Sequence, residues 1–223
     1  MSTNNRKATP KLSRMQELQK KYPGHKPIPP SRRTVVITLA ATVILSLLLV
    51  FTVLKKAQAP QVVGNKYVVV ETSMGTIKLE LYGDKAPRTV IQFLENVVGG
   101  KYDGLTFHRV VKGFMIQGGD PSGNGAGGGT ISFEKTGVSH VRGFISMASS
   151  QPGVTQSDMQ FFIMQGDATS LDGQYAAFGK VINGVDVVDK IASVPVGPNP
   201  SLPDEMSAPL MKITIIRATE VAN

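Results

Sequence analysis

From Thr34 to Leu54 the chain reads TVVITLAATVILSLLLVFTVL, 21 residues without a charge. A helix of that length, rising about 1.5 Å per residue, is about 31 Å long and matches the hydrocarbon thickness of a bilayer. Such a segment has little use except as a membrane span, so it divides the chain. Ahead of it, residues 1–33 hold nine Lys and Arg against one acid, Glu17, and contain Pro10, Pro23, Pro27, Pro29 and Pro30 among few aliphatics. That stretch cannot bury enough apolar surface to offset the entropy of folding and reads as a disordered tail, although Leu12–Tyr22 has the composition of a basic surface helix. Behind the run only Lys55 and Lys56 are close. The basic excess on the N-terminal side predicts a cytosolic tail and a single-pass type II anchor, with the rest of the chain in the lumen of the secretory pathway, ER or Golgi. A cleaved signal peptide competes, because Ala57-Gln58-Ala59 has the small-x-small form. The long basic region, the length of the apolar run and the following Pro60 favour an uncleaved anchor.

After a linker over 55–65, residues 66–223 make one domain-sized piece of 158 residues carrying 13 basic and 15 acidic groups. The net charge of +8 therefore belongs to the tail, and the folded part lacks the basic excess of a nucleic-acid-binding surface. Tyr67–Thr72 is β-rich, Ser73-Met74-Gly75 offers a turn, and Thr76–Tyr82 alternates Ile77, Leu79 and Leu81 with Lys78 and Glu80, a hairpin signature. Pro87 opens a helix whose Val90, Phe93, Leu94 and Val97 share one face before Gly99-Gly100 stops it. Short apolar strands follow at Phe107–Val111, Met115–Gln117, Phe144–Met147, Phe161–Met164 and Phe178–Ile182, then a short helix at Val185–Ile191 and a closing strand at Lys212–Ala218. Many short strands, Gly-rich turns and only two helices predict a mainly β fold, a closed antiparallel barrel capped by helices.

Residue types that carry chemistry are few. The absence of Cys excludes disulfides, Cys-ligated zinc and a thiol nucleophile. His25, His108 and His140 have no neighbouring ligand partner, so no metal site is expected. Gly123–Gly128 fits Gly-x-Gly-x-x-Gly, yet it opens no helix and no acid follows at the required distance, so it reads as a mobile surface loop. The block Phe107–Asp120, FHRVVKGFMIQGGD, is different. Arg109, Met115 and Gln117 share parity, and Lys112-Gly113 permits a bend that brings Phe114 beside them, which puts a cation against an apolar wall. The bland alternative is a surface arginine whose stem covers apolar core.

That block, with GFISMAS, MQFFI and LDGQYAAFGKV and the order of elements over Tyr67–Ala218, strongly resembles the cyclophilins. The resemblance implies peptidyl-prolyl cis-trans isomerisation of proline-containing polypeptides on an eight-stranded closed antiparallel β-barrel with two capping helices, by a monomer without cofactor or metal. Residue by residue, it implies that Arg109 is catalytic and Gln117 holds the substrate backbone. Phe114, Met115, Phe162 and Leu171 would form the wall of the proline pocket. Ala148 and Ser149 would present backbone to the residue before proline, Gln160 a polar contact, and Tyr175 stands where the family often has His or Tyr. Three departures stand out. Ser170 replaces a frequent Trp, which implies weakened cyclosporin binding. Ser149 replaces a frequent Asn, and the stretch between Ala148 and Phe162 is about two residues longer than usual. The competing function is a membrane-anchored adaptor or chaperone whose groove binds X-Pro segments with turnover secondary. Arg109 favours the enzyme, since a pure binder gains little from a group that stabilises the transition state.

Overall fold

The computed structural model describes residues 14–21, 23–24, 31–57 and 64–222. His25, most of the proline-rich tail and most of the linker lie outside them. The chain divides into two units, residues 1–59 and 60–223. In the first, Arg14–Lys21 forms α1, within the stretch whose composition allows a basic helix, and Arg32–Ala57 forms α2. Within α2, Arg32–Leu49 has a mean hydropathy of 1.8 and none of it is buried, so by length and composition it is apolar enough to cross a membrane. Thr38, Thr42 and Ser46 return their hydroxyls to helix carbonyls three or four residues back, which satisfies these three polar side chains within the helix.

In the second unit, β1 (Lys66–Thr72) and β2 (Gly75–Leu81) form the expected hairpin. α3 (Pro87–Val98) follows, then β3 (Phe107–Val111), β4 (Met115–Gly118), β5 (Thr130–Ser132), β6 (Phe144–Met147), β7 (Thr155–Ser157), β8 (Phe161–Met164), β9 (Ala177–Asn183), α4 (Val185–Ala192), β10 (Val196–Asn199), β11 (Leu202–Pro209) and β12 (Ile215–Val221). Eight strands form one antiparallel sheet in the order β12-β1-β2-β9-β6-β8-β4-β3, and β5-β7 and β10-β11 are separate ribbons.

The expected closed barrel is corrected here. The sheet curls, but its edge strands β3 and β12 share no ladder. They meet only where each begins, through one isolated bridge, Thr106 to Thr214, and the flanking bonds Ile215 N–H to Leu105 O and Phe107 N–H to Ile213 O. The final strand accordingly starts three residues later than its hydropathy suggests, because Lys212–Thr214 is used in that junction. Along β3 it is β11 that runs beside the chain.

Period-two alternation sorts side chains onto two faces. Val68, Val70, Ile77, Leu79 and Leu81 enter the main core, and Val90, Phe93, Leu94 and Val97 of α3 join the same core from one helix face as their spacing requires. Phe93 is central, its ring 5.1 Å from those of Tyr102 and Phe178 and 5.6 Å from Phe161, edge-on to the last. The buried Tyr102 hydroxyl donates to the Met159 carbonyl at 3.0 Å.

The start of α3 needs outside help, because Ala86 has no side chain to cap it. The carboxylate of Glu134, 8 % exposed, accepts from Thr89 N–H at 2.8 Å, from the Thr89 hydroxyl at 2.7 Å and from Arg88 N–H at 3.3 Å. Gln156 locks both parts, accepting from Glu134 N–H and donating to Thr89 Oγ1. Removing this carboxylate strands buried donors at a positive helix end. Glu134→Ala is therefore expected to lower stability by about 3 kcal/mol, and Glu134→Gln by roughly half as much, in urea unfolding followed by circular dichroism.

Candidate active site

A second, smaller apolar cluster lies on the opposite face of the sheet from the main core. On β4, Ile116 belongs to the core while Met115 turns away; on β8, Phe161 and Ile163 belong to the core while Phe162 and Met164 turn away. β3 does the same only through an irregularity. Phe107 pairs with Gly118 and Arg109 with Gln117, so two steps on β3 match one on β4 and His108 is the extra residue of a bulge. Without it, Arg109 would follow Phe107 toward the core; with it, Phe107 and Val110 are both core and Arg109 joins the outer face. Burial makes the extra His108 harder to protonate than an ordinary histidine.

Lys112, Gly113 and Phe114 then turn the chain into β4, with Gly113 at φ +82° and Phe114 N–H on the Val111 carbonyl at 3.0 Å. Gln165 holds this turn from outside: its side-chain oxygen accepts Gly113 N–H, and its N–H donates to the Phe114 carbonyl at 2.8 Å. Gly166 is required here for space, since a Cβ on it would stand 2.2 Å from the Gly113 carbonyl oxygen.

These elements enclose a cleft of about 180 Å³. Arg109, Phe114 and Gln117 line it from the β3-β4 hairpin, Phe162 from β8, and Leu171 from a single 3-10 turn at Thr169–Leu171. Met115, Ala148, Ser149 and Tyr175 complete the wall. Of the ten residues singled out from sequence, nine line this one cleft. The tenth, Gln160, lines an adjoining cleft of about 250 Å³ with Gly125–Gly129, and Gln117, Ala148 and Ser149 belong to both. Ser170 is exposed and lines neither, while its carbonyl accepts from Gln174 Nε2 at 2.9 Å.

The polar side is a chain of hydrogen bonds with one direction. Arg109 Nη1 donates to Gln117 Oε1 at 3.2 Å, Gln117 Nε2 to Gln160 Oε1 at 3.0 Å, and Gln160 Nε2 to the Gly127 and Gly125 carbonyls at 2.8 and 3.1 Å. The glycine loop expected to be mobile is thus tied from inside. Asp120, 1 % exposed, anchors it again by accepting from Ser122, Asn124 and Gly125 N–H groups. On the rim, Ser149 Oγ donates to the Thr155 carbonyl at 2.6 Å, and Gly153 N–H reaches the Gln174 carbonyl at 2.8 Å, which sets the longer loop against the turn before Tyr175. Ala148 N–H is spent on the Gln160 carbonyl and its own carbonyl accepts from Ser157.

Two groups behind the cleft escaped sequence reasoning. His140, fully buried, stacks on Phe162 with centroids 6.0 Å apart, while Nδ1 lies 2.8 Å from Asp172 and Nε2 3.1 Å from Ser146 Oγ. Tyr175 meets Phe162 edge-on at 5.6 Å, so Phe162 is held from two sides. The Ser139 hydroxyl, then His140, hold the Asp172 carboxyl below its ordinary range. The other is Glu205 of β11. It pairs side-on with Arg109, Nε to Oε1 at 2.7 Å and Nη2 to Oε2 at 2.8 Å, and those bonds lower its carboxyl pKa. Both partners lie far away in sequence from what they hold, and a lone Glu or His gives no periodic signal.

Arg142 and Asp189 brace the Gln165 anchor. Their fork bonds of 2.8 and 2.6 Å, with Gln165 Nε2 at 3.1 Å, bring the Asp189 carboxyl from its ordinary 3.8 to about 2. A depressed acid adds stability that is complete above the unfolded value and lost as pH falls through the folded one. The loss should fall between about pH 4 and pH 2, and Asp189→Asn should show a shallower acid decline than the parent in urea midpoints measured across that window.

A family-wide sequence profile described as cyclophilin type peptidyl-prolyl cis-trans isomerase/CLD matches residues 67–220. Peptidyl-prolyl cis-trans isomerase CYP18-1 of Arabidopsis thaliana is 40 % identical over 163 residues, which are 70 % of this chain and 96 % of that protein. Peptidyl-prolyl cis-trans isomerase-like 2 of Cryptococcus neoformans is 40 % identical over 149 residues, 63 % of this chain, and the chain spans only 26 % of that longer relative. Among solved structures, a Cryptosporidium parvum cyclophilin type peptidyl-prolyl cis-trans isomerase crystallised in the presence of the dipeptide Ala-Pro superposes with a TM-score of 0.63 at 32 % identity, covering 70 % of this chain and 99 % of that one.

Proposed function

The chain belongs to the cyclophilin-type peptidyl-prolyl cis-trans isomerases, and from that premise we propose that the 180 Å³ cleft grips the proline ring of a polypeptide while Arg109 lowers the barrier to X-Pro rotation. Rotation costs about 18–20 kcal/mol because amide resonance must be broken, and it needs neither proton transfer nor a nucleophile. Phe114, Met115, Phe162 and Leu171 give the ring an apolar seat. Arg109 directs N–H groups at the imide nitrogen, whose lone pair becomes available only as the bond twists, so the interaction strengthens toward the transition state. Its planar fork stays charged in a half-buried groove, which a lysine would do less directionally. Gln117, held by Arg109 and Gln160, takes the substrate backbone. Ser149 offers the free main-chain contact, because Ala148 N–H is already engaged. The observation that carries the reading is the single cation beside an aromatic seat on the outer face of a sheet whose inner face is core.

The anchoring, topology and address belong to the same proposal. α2 acts as a signal anchor and sets the domain in the lumen of the secretory pathway, Golgi or ER, where it catalyses folding of proline-containing chains as a monomer, without cofactor and without nucleic acid. Support comes from the length and hydropathy of α2 and the basic excess before it. With Ser170 in place of a wide aromatic, cyclosporin binds weakly while the proline seat is intact.

Arg109→Ala should reduce turnover of an X-Pro peptide at least about tenfold with only modest loss of peptide affinity, whereas Phe162→Ala should harm both, as read by exchange NMR and titration. Parental turnover in Arg109→Ala would instead favour a proline-binding adaptor. For topology, protease added to sealed microsomes should trim a few kilodaltons from the N-terminus and spare the domain over residues 67–218 until detergent is added. Digestion of that domain in intact vesicles would place it in the cytosol, and its release by carbonate would mean that the anchor had been cleaved.

A further inference from the structure

A guanidinium carries five N–H donors and no acceptor. On Arg109, Nε and one Nη2 hydrogen bond Glu205 at 2.7 and 2.8 Å, and one Nη1 hydrogen bonds Gln117 at 3.2 Å. Two donors remain, one on each terminal nitrogen, and these are what Arg109 has to offer a substrate in the cleft it lines. Two parallel bonds along one edge fix the plane of the fork as a single bond cannot. The side chains of Arg109 and Glu205 are 22 % and 33 % exposed, so the pair is partly desolvated and worth more than a surface ion pair. Glu205 is itself supported. The Ser207 hydroxyl, two residues further along β11, helps to hold the Glu205 carboxyl low, and the buried Ser207 oxygen accepts from Asn199 Nδ2 at 2.9 Å across the ribbon.

We infer that Glu205 is a positioning residue for the isomerisation: it holds the Arg109 fork so that the two spare N–H groups face the twisting imide. The inference rests on the isomerase reading of the cleft. Without the carboxylate, Arg109 keeps one bond to Gln117 and regains the rotamer freedom of a long side chain. The proline seat does not touch Glu205, so binding of the ring should be spared. The fault is confined to the transition state, and it passes wholly through Arg109.

The test compares full-length parent, Glu205→Ala and Glu205→Gln for turnover and KM on an X-Pro peptide by exchange NMR, with thermal unfolding as a control on folding. Turnover should fall about tenfold in Glu205→Ala and about threefold in Glu205→Gln, whose carbonyl still accepts one of the two bonds, while KM stays within about twofold. In an Arg109→Ala background, Glu205→Gln should change turnover no further. Parental or faster turnover in Glu205→Ala, a change confined to KM, or an equal loss without Arg109 would overturn the assignment. A different result, Arg109→Ala turning over at the parental rate, defeats the isomerase reading itself and not the geometry of the pair.

Discussion

Between Phe107 and Arg109, β3 carries one residue more than β4 opposite it, and that surplus lets a single short strand serve both faces of the sheet. A regular strand that put Phe107 and Val110 in the core is impossible, because positions three apart point oppositely. The bulge resolves the conflict and turns Arg109 outward onto Gln117. On β3, the two core residues and the outward cation are therefore consequences of one irregularity rather than separate arrangements. On β4 and β8 plain alternation suffices, since those strands place a core residue and a cleft residue in strict succession.

A second constraint is chemical. Because arginine only donates, the Gln117 amide must present its oxygen to Arg109, which turns its NH₂ toward Gln160, which in turn points its own NH₂ at the glycine carbonyls. Both amide orientations and the position of the glycine loop follow from the charge at one end. Sequence inspection reads that loop as mobile because side-chain restraints give no periodic signal; they come from Asp120, just ahead of the loop, and from Gln160, which reaches it from just before β8.

What sequence made legible was whatever repeats with a period. The apolar face of α3, the β1-β2 hairpin and the main strands follow from spacing alone, whereas the cleft residues were implied by the cyclophilin resemblance of Phe107–Asp120, GFISMAS, MQFFI and LDGQYAAFGKV. The ribbons β5-β7 and β10-β11 were not legible, since β5 and β7 are three residues each and mainly polar, and β10 and β11 are interrupted by Pro198 and Pro203. With β11 went Glu205. The open edge between β3 and β12 was hidden for a related reason: hydropathy marks strands but does not say whether two of them share a ladder. His140 offered only a lone histidine, whose stacking on Phe162 is a fact of tertiary structure.

The separation of partners also has a bearing on synthesis. Arg109 is 96 residues from Glu205, and α3 is capped by a carboxylate 45 residues beyond Thr89. Each closure carries the entropy of a long loop, so neither forms while its second member is still within the ribosome. The cleft draws on residues up to Tyr175, and the arginine clamp waits for β11. Ile213, Ile215 and Ala218 of the main core, and the strand β12 that pairs with β1, are made later still, so the sheet that carries both the cleft and the arginine clamp is complete only once the end of the domain has been synthesised.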